Sequence, residues 1–395
     1  MIEWKSYKLG DLAQIKGGKR LPKGATLSSV ANSHPYIRIR DLGSTRILEL
    51  NKTYEYVDDY TQKAISRYIV NRGDILLSIV GTIGLTGIVG DSLDNANLTE
   101  NCVKIVGLQG LNPMFLYYFL MSKTGQKEIQ KGIVGAVQPK LPIKNIQDIT
   151  ITLPSLIEQE RIAEILSSFD DKIELNNRIN HNLEELVQYR FDQLLLANDA
   201  KGYCQVADYI DINPKRELKK GQFARSIEMS FLSTSGSFPS GWDFKEYNGG
   251  MKFVNGDTIM ARITPCLENG KVAYVDFLDE KETAFGSTEY IVLRSKPGIP
   301  SAFTYFLARN NDFVDYATKN MNGSSGRQRV SGDVIGRYSI PILNDQDLSL
   351  FAEVSKAAMN VIRINSIENI KLASTRDTLL PLLLSGENPF NHVTC

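Results

Sequence analysis

Several segments of the chain combine arginine or lysine with glycine and with amide or hydroxyl side chains, a mixture suited to contacts with DNA. Arginine can hydrogen-bond the edge of guanine with two donors and glutamine can do the same with adenine, while lysine and backbone amides suit phosphate. Residues of this kind occur in both halves of the sequence, at Lys19, Arg20, Lys23, Arg38, Arg40, Thr82, Gln138, Lys140, Arg262, Thr264, Ser325, Arg327, Gln328 and Arg329. Gln138 and Gln328 stand at comparable places in the two halves. This chemistry favours duplex DNA as a ligand, although polar surface loops are common in proteins of every function.

Sequence patterns of known catalytic sites are missing. The glycines of residues 81–87 have the wrong spacing for a dinucleotide fingerprint, and no phosphate-binding loop, methyl-transfer motif or serine nucleophile elbow occurs. Asp211 with Glu217 and Lys219 has a nuclease-like composition, but a solvated charged face explains it better because the first half has no counterpart. The cysteines and histidines are too dispersed for a metal site, at Cys102, Cys204, Cys266, Cys395, His34, His181 and His392. The sequence predicts neither a catalytic site nor a metal site.

The second half of the chain repeats the organisation of the first, and each half ends in a long helical pattern. Apolar residues recur at three- and four-residue steps from Ile157 to Ala197 and from Leu348 to Leu384, which predicts two helices with packing seams. A helix of about 40 residues is roughly 60 Å long, a length suited to pairing with an equal partner.

Two details of the helical patterns bear on how the helices pair. Proline and glutamine recur at both joints, so that Pro154 matches Pro341 and Gln159 matches Gln346, an offset of 187 residues (341 − 154). Polar residues interrupt the apolar seams, at Asn176, Asn180 and Ser366. Such interruptions either fix the register of pairing at some cost in stability, or simply face solvent.

Outside the helical patterns, short runs of β-branched and aromatic residues alternate with glycine and asparagine, which predicts strands and turns. Examples are residues 36–42, 74–90 and 251–263, with short helices expected at 113–120 and 302–308. Each half is therefore predicted to be a β-rich α+β part followed by a long helix.

Composition is that of a globular protein with room for two domains, at 395 residues, 42% hydrophobic and 23% charged. No run approaches the length of a membrane span and the amino terminus lacks the apolar core of a signal peptide, which predicts a cytoplasmic protein. Residues 1–150 contain 19 basic and 13 acidic side chains, whereas residues 151–200 contain 4 basic and 10 acidic. This segregation suits a globular part that meets phosphate and a helix that meets another partner, although helices are often rich in glutamate.

The most specific sequence features lie at the joints. They are Trp4-Lys5 with Leu9-Gly-Asp-Leu12, the segment from Thr152 through Ala163, and the closing segment from Arg376 to Gly386. With two unlike globular parts that each precede a long helix, these features resemble the specificity (S) subunit of a type I restriction-modification system, over the whole chain.

The resemblance implies an α+β fold with two tandem target recognition domains, at residues 1–153 and 201–340. It further implies that two long helices conserved in the family, at residues 154–200 and 341–395, separate these domains. The helices pair in the family as an antiparallel coiled coil, which gives the subunit pseudo-twofold symmetry.

The resemblance also implies a noncatalytic role in host defence. Each recognition domain would read one half of a bipartite target in double-stranded DNA, and the helices would set the gap. The expected partners are two modification subunits, which methylate adenine with S-adenosylmethionine, and two restriction subunits, which use ATP and magnesium, so this chain needs no cofactor of its own. Residues near the joints are expected to dock the partners, at Glu158, Gln159, Glu160, Gln346 and Asp347. A coiled-coil scaffold or decoy that binds modification subunits without reading sequence remains an alternative, as does an enzyme acting alone.

Overall fold

In the computed structural model, which describes residues 4–43, 45–324 and 326–386, the chain forms two units. Unit 1 contains the chain up to Asp171 together with the residues from Ala373 onward, and unit 2 contains Lys172–Leu372. Both long helices cross this division, so each unit includes a part of each helix.

Unit 1 is a mixed structure of short strands and helices. Its elements are β1 (Lys5–Lys8), α1 (Leu9–Leu12), β2 (Gln14–Gly17), β3 (Pro35–Ile37), β4 (Ile47–Leu48), β5 (Glu55–Tyr56), α2 (Asp59–Ile65), β6 (Ile75–Ser78), β7 (Thr86–Val89), β8 (Asn97–Leu98), β9 (Cys102–Val106), α3 (Pro113–Met121), α4 (Lys123–Gly132), α5 (Ile143–Gln147) and β10 (Thr150–Leu153). A five-stranded sheet has the order β2-β9-β6-β7-β4, a three-stranded sheet has the order β5-β3-β8, and β1 pairs with β10.

The long helix α6 (Leu156–Asn198) follows, and unit 2 then repeats this organisation. Its elements are β11 (Tyr203–Gln205), β12 (Ile210–Ile212), β13 (Phe223–Ile227), β14 (Asp243–Glu246), β15 (Met251–Phe253), β16 (Asp257–Ala261), β17 (Val272–Tyr274), β18 (Ala284–Gly286), β19 (Tyr290–Ser295), α7 (Phe303–Arg309), α8 (Asn311–Lys319), α9 (Gly332–Gly336), β20 (Ser339–Pro341) and the second long helix α10 (Asp345–Ser385). Two four-stranded sheets have the orders β12-β19-β16-β17 and β14-β13-β18-β15, and β11 pairs with β20.

The two units share one topology. The run β12-β19-β16-β17 has the same order and antiparallel pairing as β2-β9-β6-β7. In the second sheet of each unit one pair of strands is parallel, β3 with β8 and β13 with β18. An antiparallel pair of short strands then closes each unit at its joint with a long helix. The predicted repeat of a β-rich α+β part followed by a long helix is confirmed.

Each unit buries parts of both long helices in its own hydrophobic core. The core of unit 1 includes Ile162 of α6 and Leu383 of α10, together with the aromatic residues of α3. In unit 2, the Phe191 ring of α6 makes edge contacts with Phe303 of α7 and Phe351 of α10, with centroids 5.2 and 5.7 Å apart. Because truncation of a buried phenylalanine typically costs about 3–5 kcal/mol, these contacts make the helices dependent on the globular parts.

The helices α6 and α10 pair antiparallel in each unit. In unit 1, Arg376 of α10 forms an ion pair with Asp170 of α6, and Tyr118 of α3 donates its hydroxyl to the same carboxylate at 2.6 Å. In unit 2, the side-chain amide of Asn198 donates to the Asp347 carboxylate at 3.0 Å. Residue numbers fall along one helix as they rise along the other, which confirms the predicted antiparallel pairing.

Polar side chains meet in the part of the helix pair that lies in unit 2. The buried Asn176 donates to the Asn369 side-chain oxygen at 2.9 Å, and Asn365 donates to that of Asn180 at the same distance. Asn180 also donates to the Ser366 hydroxyl at 3.2 Å. The polar interruptions of the seams thus face the opposite helix rather than solvent. Asn176, Asn180, Asn365 and Asn369 are called the asparagine layer below.

The two long helices begin at equivalent caps that lie 189 residues apart (344 − 155). The side chains of Ser155 and Asn344 each accept a hydrogen bond from the backbone N–H three residues later, at 3.4 and 2.8 Å, which is the contact of an N-cap. The asparagine layer repeats the same offset (365 − 176 and 369 − 180), so exchange of the two helices reproduces its amide pairs.

This offset corrects the predicted matches at the joints. Pro341 is the last residue of β20, whereas Pro154 follows the end of β10, so the two prolines stand at different points of the joint. Gln159 corresponds to Leu348, and both side chains are buried, whereas Gln346 is exposed. The match of Gln159 with Gln346 at an offset of 187 residues is therefore wrong.

Gln159 links α6 to the turn that precedes α3. Its side-chain oxygen accepts a hydrogen bond from the backbone N–H of Asn112 at 2.9 Å, and its amide donates to the carbonyl oxygens of Gly110 and Pro154, both at 3.1 Å. With 1% of the residue exposed, its hydrogen-bonding groups are used inside unit 1.

Replacement of Gln159 by leucine, the residue at the corresponding position 348, is expected to destabilise unit 1 by about 1–3 kcal/mol, because buried backbone groups lose their partners. Gln346→Leu is the matched control, and its exposed position predicts a change within about 0.5 kcal/mol. Urea unfolding of both variants measures the two changes. Equal effects of the two substitutions would contradict the structural role of Gln159.

Candidate nucleic-acid interface

In unit 1, Gln138 and Lys140 lie on a short hairpin beside the turn between β6 and β7. The backbone of Lys140 exchanges two hydrogen bonds with that of Val134, at 2.9 and 3.0 Å. The residue after Lys140 donates its N–H to the carbonyl of Ile79 at 2.9 Å, which fixes the hairpin to the end of β6. Thr82 is exposed in the adjoining turn. The structure therefore brings together Thr82, Gln138 and Lys140.

Unit 2 holds a hairpin at the corresponding place. The backbone of Arg329 exchanges two hydrogen bonds with that of Asn322, at 2.9 and 3.0 Å, and Arg329 also pairs with Ile263 just beyond β16. In unit 1, Lys140 makes the same two pairings, with Val134 and Val80. The hairpins are thus fixed by backbone contacts that do not depend on side-chain identity.

The unit 2 hairpin brings together the predicted residues of that half. The N–H of Thr264 donates to the carbonyl of Gln328 at 3.1 Å, and the carbonyl of Arg262 accepts from the residue after Arg329 at 3.0 Å. Arg327 lies exposed beside them. The last predicted residue, Ser325, lies outside the described residues.

Alignment of the two hairpins on their paired residues, Lys140 and Arg329, gives an offset of 189 residues (329 − 140). This alignment matches Gln138 with Arg327. The predicted correspondence of Gln138 with Gln328 is therefore displaced by one residue, because the hairpin of unit 2 has one more residue between its paired positions.

Glu289 organises the cationic side chains of the unit 2 hairpin. Arg329 donates to both carboxylate oxygens at 2.7–3.0 Å, and this hydrogen bonding holds the pKa of Glu289 below its usual value, with a smaller contribution from the charge of Arg262. Another nitrogen of Arg329 donates to the carbonyl of Arg327 at 3.0 Å. The Arg329 charge is thus balanced by Glu289, while the Arg327 side chain makes no hydrogen bond or ion pair with any described residue. Sequence reasoning missed Glu289, which no motif marks.

Two further predicted cations of unit 1 lie near the same turn. Arg38 and Arg40 both form ion pairs with Glu55, and Arg40 also donates to a backbone carbonyl. Ile39 Cδ1, between them, lies 3.5 Å from the position that a Cβ atom would take on Gly81 of the β6–β7 turn. The segment with Arg38 and Arg40 therefore adjoins the β6–β7 turn beside the hairpin, but the Glu55 carboxylate balances its charges.

The remaining predicted cations of unit 1 precede β3. Arg20 donates to Glu100 at 2.7 Å, and the Lys19 ammonium lies 5.4 Å from the centroid of the Tyr68 ring. Lys23 is exposed. No hydrogen bond or ion pair of the described residues joins these three to the hairpin.

The residues predicted to dock partners differ in exposure. Glu160 and Gln346 are exposed and Glu158 is partly buried, with a carboxylate 3.8 Å from an arginine one turn on. Gln159 is buried, and Asp347 accepts hydrogen bonds from two asparagines at its own joint. The last two side chains are used inside their units, so Glu158, Glu160 and Gln346 remain the candidates for docking.

The structure shows a row of exposed apolar side chains along α6 that the sequence patterns did not predict. These residues lie in unit 2, are 38–67% exposed, and follow one another at steps of three, four or seven residues, which is typical of one helix face. They form the apolar stripe: Leu175, Ile179, Leu186, Tyr189 and Leu196. In the sequence, the stripe is a second set of regularly spaced apolar residues beside those of the pairing seam. The spacing of the seam residues hides this second set.

The described part of the chain, residues 4–43, 45–324 and 326–386, contains no group of three or more histidine, cysteine, aspartate or glutamate side chains placed to hold a metal ion. Nor does any helix within those ranges have the length and apolar character needed to cross a membrane. Cys102, Cys204 and Cys266 are free thiols, and burial raises the pKa of the Cys102 thiol to about 12.

Known proteins with similar sequences are specificity subunits. The type I restriction modification DNA specificity domain matches residues 1–185. The chain is 24% identical over 273 residues to the MjaIX specificity subunit of Methanocaldococcus jannaschii, covering 69% of this chain and 57% of that protein. The MjaVIII subunit of the same organism is 27% identical over 191 residues, or 46% of this chain and 43% of that protein, so the chain spans about half the length of these two relatives. The HindI specificity subunit of Haemophilus influenzae is 20% identical over 472 residues, covering 98% of this chain and all of that protein.

A solved structure has the same fold. The type I restriction-modification S subunit from M. genitalium aligns with a TM-score of 0.59 and 17% identity, covering 97% of this chain and 96% of that chain. The fold likeness covers both units. The comparisons thus place a type I restriction modification DNA specificity domain at residues 1–185 and make the chain similar to type I restriction enzyme specificity subunits.

Proposed function

We propose that the chain is the DNA-reading subunit of a type I restriction-modification complex and that each unit binds one half of a bipartite target. The observation that supports this most directly is the repeated hairpin. Each unit holds an exposed hairpin by the same backbone pairings, just beyond the end of β6 in unit 1 and of β16 in unit 2. Each hairpin presents side chains that can hydrogen-bond base edges. Two such surfaces in one chain suit a target with two half-sites.

Charge supports the same proposal. Residues 1–150 contain 19 basic and 13 acidic side chains, and residues 201–340 contain 18 and 16. Several arginines of the hairpin sites are already balanced by Glu55 or Glu289. The sites therefore combine a modest positive potential, which attracts a polyanion, with amide and guanidinium groups that are free to discriminate between bases.

The two long helices set the number of base pairs between the half-sites. Helix α6 has 43 residues and α10 has 41, which corresponds to roughly 60 Å of helix each. The asparagine layer and the capped joints fix which residues of the two helices face each other. A helix pair of fixed length and register is suited to define a fixed gap.

The helices also dock two modification subunits. The candidate docking residues are the apolar stripe and Gln346 in unit 2, and Glu158 and Glu160 in unit 1. A row of exposed leucine, isoleucine and tyrosine side chains supports a protein partner, because extended apolar surface is normally covered. The modification subunits supply S-adenosylmethionine and adenine methylation, and two restriction subunits supply ATP- and magnesium-dependent cleavage. This chain contributes no catalytic group and acts in the cytoplasm in defence against foreign DNA.

Co-expression of the chain with the modification subunit encoded beside it, followed by single-molecule mapping of methylated adenines in the host genome, tests the proposal. The expected result is one asymmetric bipartite motif with a fixed gap, absent when this chain is omitted. A stable complex that methylates no defined motif would instead favour a scaffold or decoy that binds modification subunits without reading sequence.

The double variant Leu186→Glu with Tyr189→Glu is expected to abolish co-purification of the modification subunit, because it places two charges in an apolar contact. Tyr60→Glu is the matched control, since Tyr60 is 80% exposed in unit 1 and lies outside the stripe. Affinity purification of each variant from the co-expressing strain measures the difference. Equal recovery of the modification subunit with both variants would exclude the stripe as the docking surface.

A further inference from the structure

The two hairpins present different hydrogen-bonding groups at one corresponding position. Counting back two residues from the paired Lys140 and Arg329 gives Gln138 in unit 1 and Arg327 in unit 2. Both side chains are exposed, and neither makes a hydrogen bond or ion pair with another part of the described chain. The side chain at this position is therefore available to contact a ligand in both units.

The neighbours of this position are engaged in holding the hairpins. In unit 2, the Gln328 carbonyl accepts from Thr264 N–H at 3.1 Å, and the Arg329 guanidinium binds both oxygens of Glu289. In unit 1, the residue that follows Gln138 is a proline and has no N–H to donate. The backbone around the exposed position is thus fixed while its side chain is not.

Arg329 also fixes the backbone of the exposed residue itself. One of its nitrogens donates to the Arg327 carbonyl at 3.0 Å, while two others bind the Glu289 carboxylate. The ion pair therefore holds the base of the Arg327 side chain in place, and Glu289 balances the charge of Arg329 rather than that of Arg327. This arrangement makes Glu289 and Arg329 positioning residues for Arg327.

From this geometry we infer that the Gln138/Arg327 position determines base specificity in both half-sites, with Gln138 contacting an adenine edge and Arg327 a guanine edge. The inference rests on the proposed function. A side-chain amide matches the N6 donor and N7 acceptor of adenine, and a guanidinium matches the O6 and N7 acceptors of guanine. The half-site of unit 1 therefore contains an adenine, and that of unit 2 a guanine, at corresponding places.

A phosphate contact explains the pair of residues less well. Glutamine can also hydrogen-bond phosphate, but the part of phosphate binding that depends on charge needs a cation. Gln138 is uncharged, although Lys140, two residues away in the same unit, is an exposed cation. An amide and a guanidinium at one backbone position suit base edges, which differ between half-sites.

Exchange of the two residue types tests the inference. Arg327→Gln and Gln138→Arg are co-expressed separately with the modification subunit, and methylated adenines are mapped in each strain. Arg327→Gln is expected to change one guanine of the unit 2 half-site to adenine, and Gln138→Arg to change one adenine of the unit 1 half-site to guanine, each with a preference of about 10- to 100-fold. The other half-site and the gap should stay unchanged.

Arg327→Lys distinguishes a base contact from a phosphate contact. Lysine keeps the charge but loses the two-donor geometry, so the unit 2 half-site should become degenerate at one position. Retention of the original motif by both Arg327→Lys and Arg327→Gln would overturn the inference, as would a loss of methylation that is uniform over all sequences. If the wild-type complex itself methylates no defined motif, the proposed function fails instead.

Glu289→Gln tests the positioning role. This variant keeps the size of the side chain and removes the charge that holds Arg329. Discrimination at the Arg327 base should weaken by about 10-fold in methylation of synthetic duplexes, while the preferred base stays guanine. Unchanged discrimination would show that Glu289 does not position Arg327.

Discussion

Antiparallel pairing of α6 and α10 in a single register is the constraint on which the rest of the structure depends. The asparagine layer forms its amide pairs only when residues facing each other are in the observed register. A shift along the seam would leave the amide donor of the buried Asn176 unpaired, at a cost of about 1–3 kcal/mol. The cap residues at the joint of unit 2 and the ion pair of Asp170 with Arg376 in unit 1 agree with this register. Aromatic side chains of the globular parts pack against both helices and cover the ends of the seam.

Within this frame, the two units keep one backbone arrangement and vary the side chains that it displays. The hairpins are held by main-chain hydrogen bonds, and these form whatever residue stands between the paired positions. Lys140 and Arg329 lie at corresponding points, yet only the arginine is bound by a carboxylate, Glu289. A scaffold of this kind allows the displayed side chains to change without loss of the fold, because the exposed residues contribute little to stability.

Much of the architecture could be predicted from the sequence because it depends on periodic patterns. The apolar spacing predicted both long helices. The polar interruptions left open whether their side chains face the opposite helix or solvent, and in the structure they face the opposite helix. The joints could not be aligned from sequence, because Pro154 and Pro341 look equivalent but stand at different points relative to β10 and β20. The buried hydrogen bonds of Gln159 depend on a turn that is distant in sequence, so no local pattern distinguishes it from the exposed Gln346. The apolar stripe was hidden because its spacing overlaps that of the pairing seam, and the role of Glu289 depends on a contact across 40 residues with Arg329.

We propose that the paired helices fix the gap between two half-sites. Deletion of seven residues from each helix, residues 173–179 and the facing residues 366–372, tests this role. The deletion keeps the Asn180–Asn365 pair for the register and Leu186, Tyr189 and Leu196 for docking. Two helical turns amount to about 10 Å, or about three base pairs of duplex, and seven residues keep the phase of the seam. Mapping of methylated adenines in a strain that expresses this variant with its modification subunit should give both original half-sites with a gap shorter by about three base pairs. The same half-sites with an unchanged gap would show that the length of the helices does not set it.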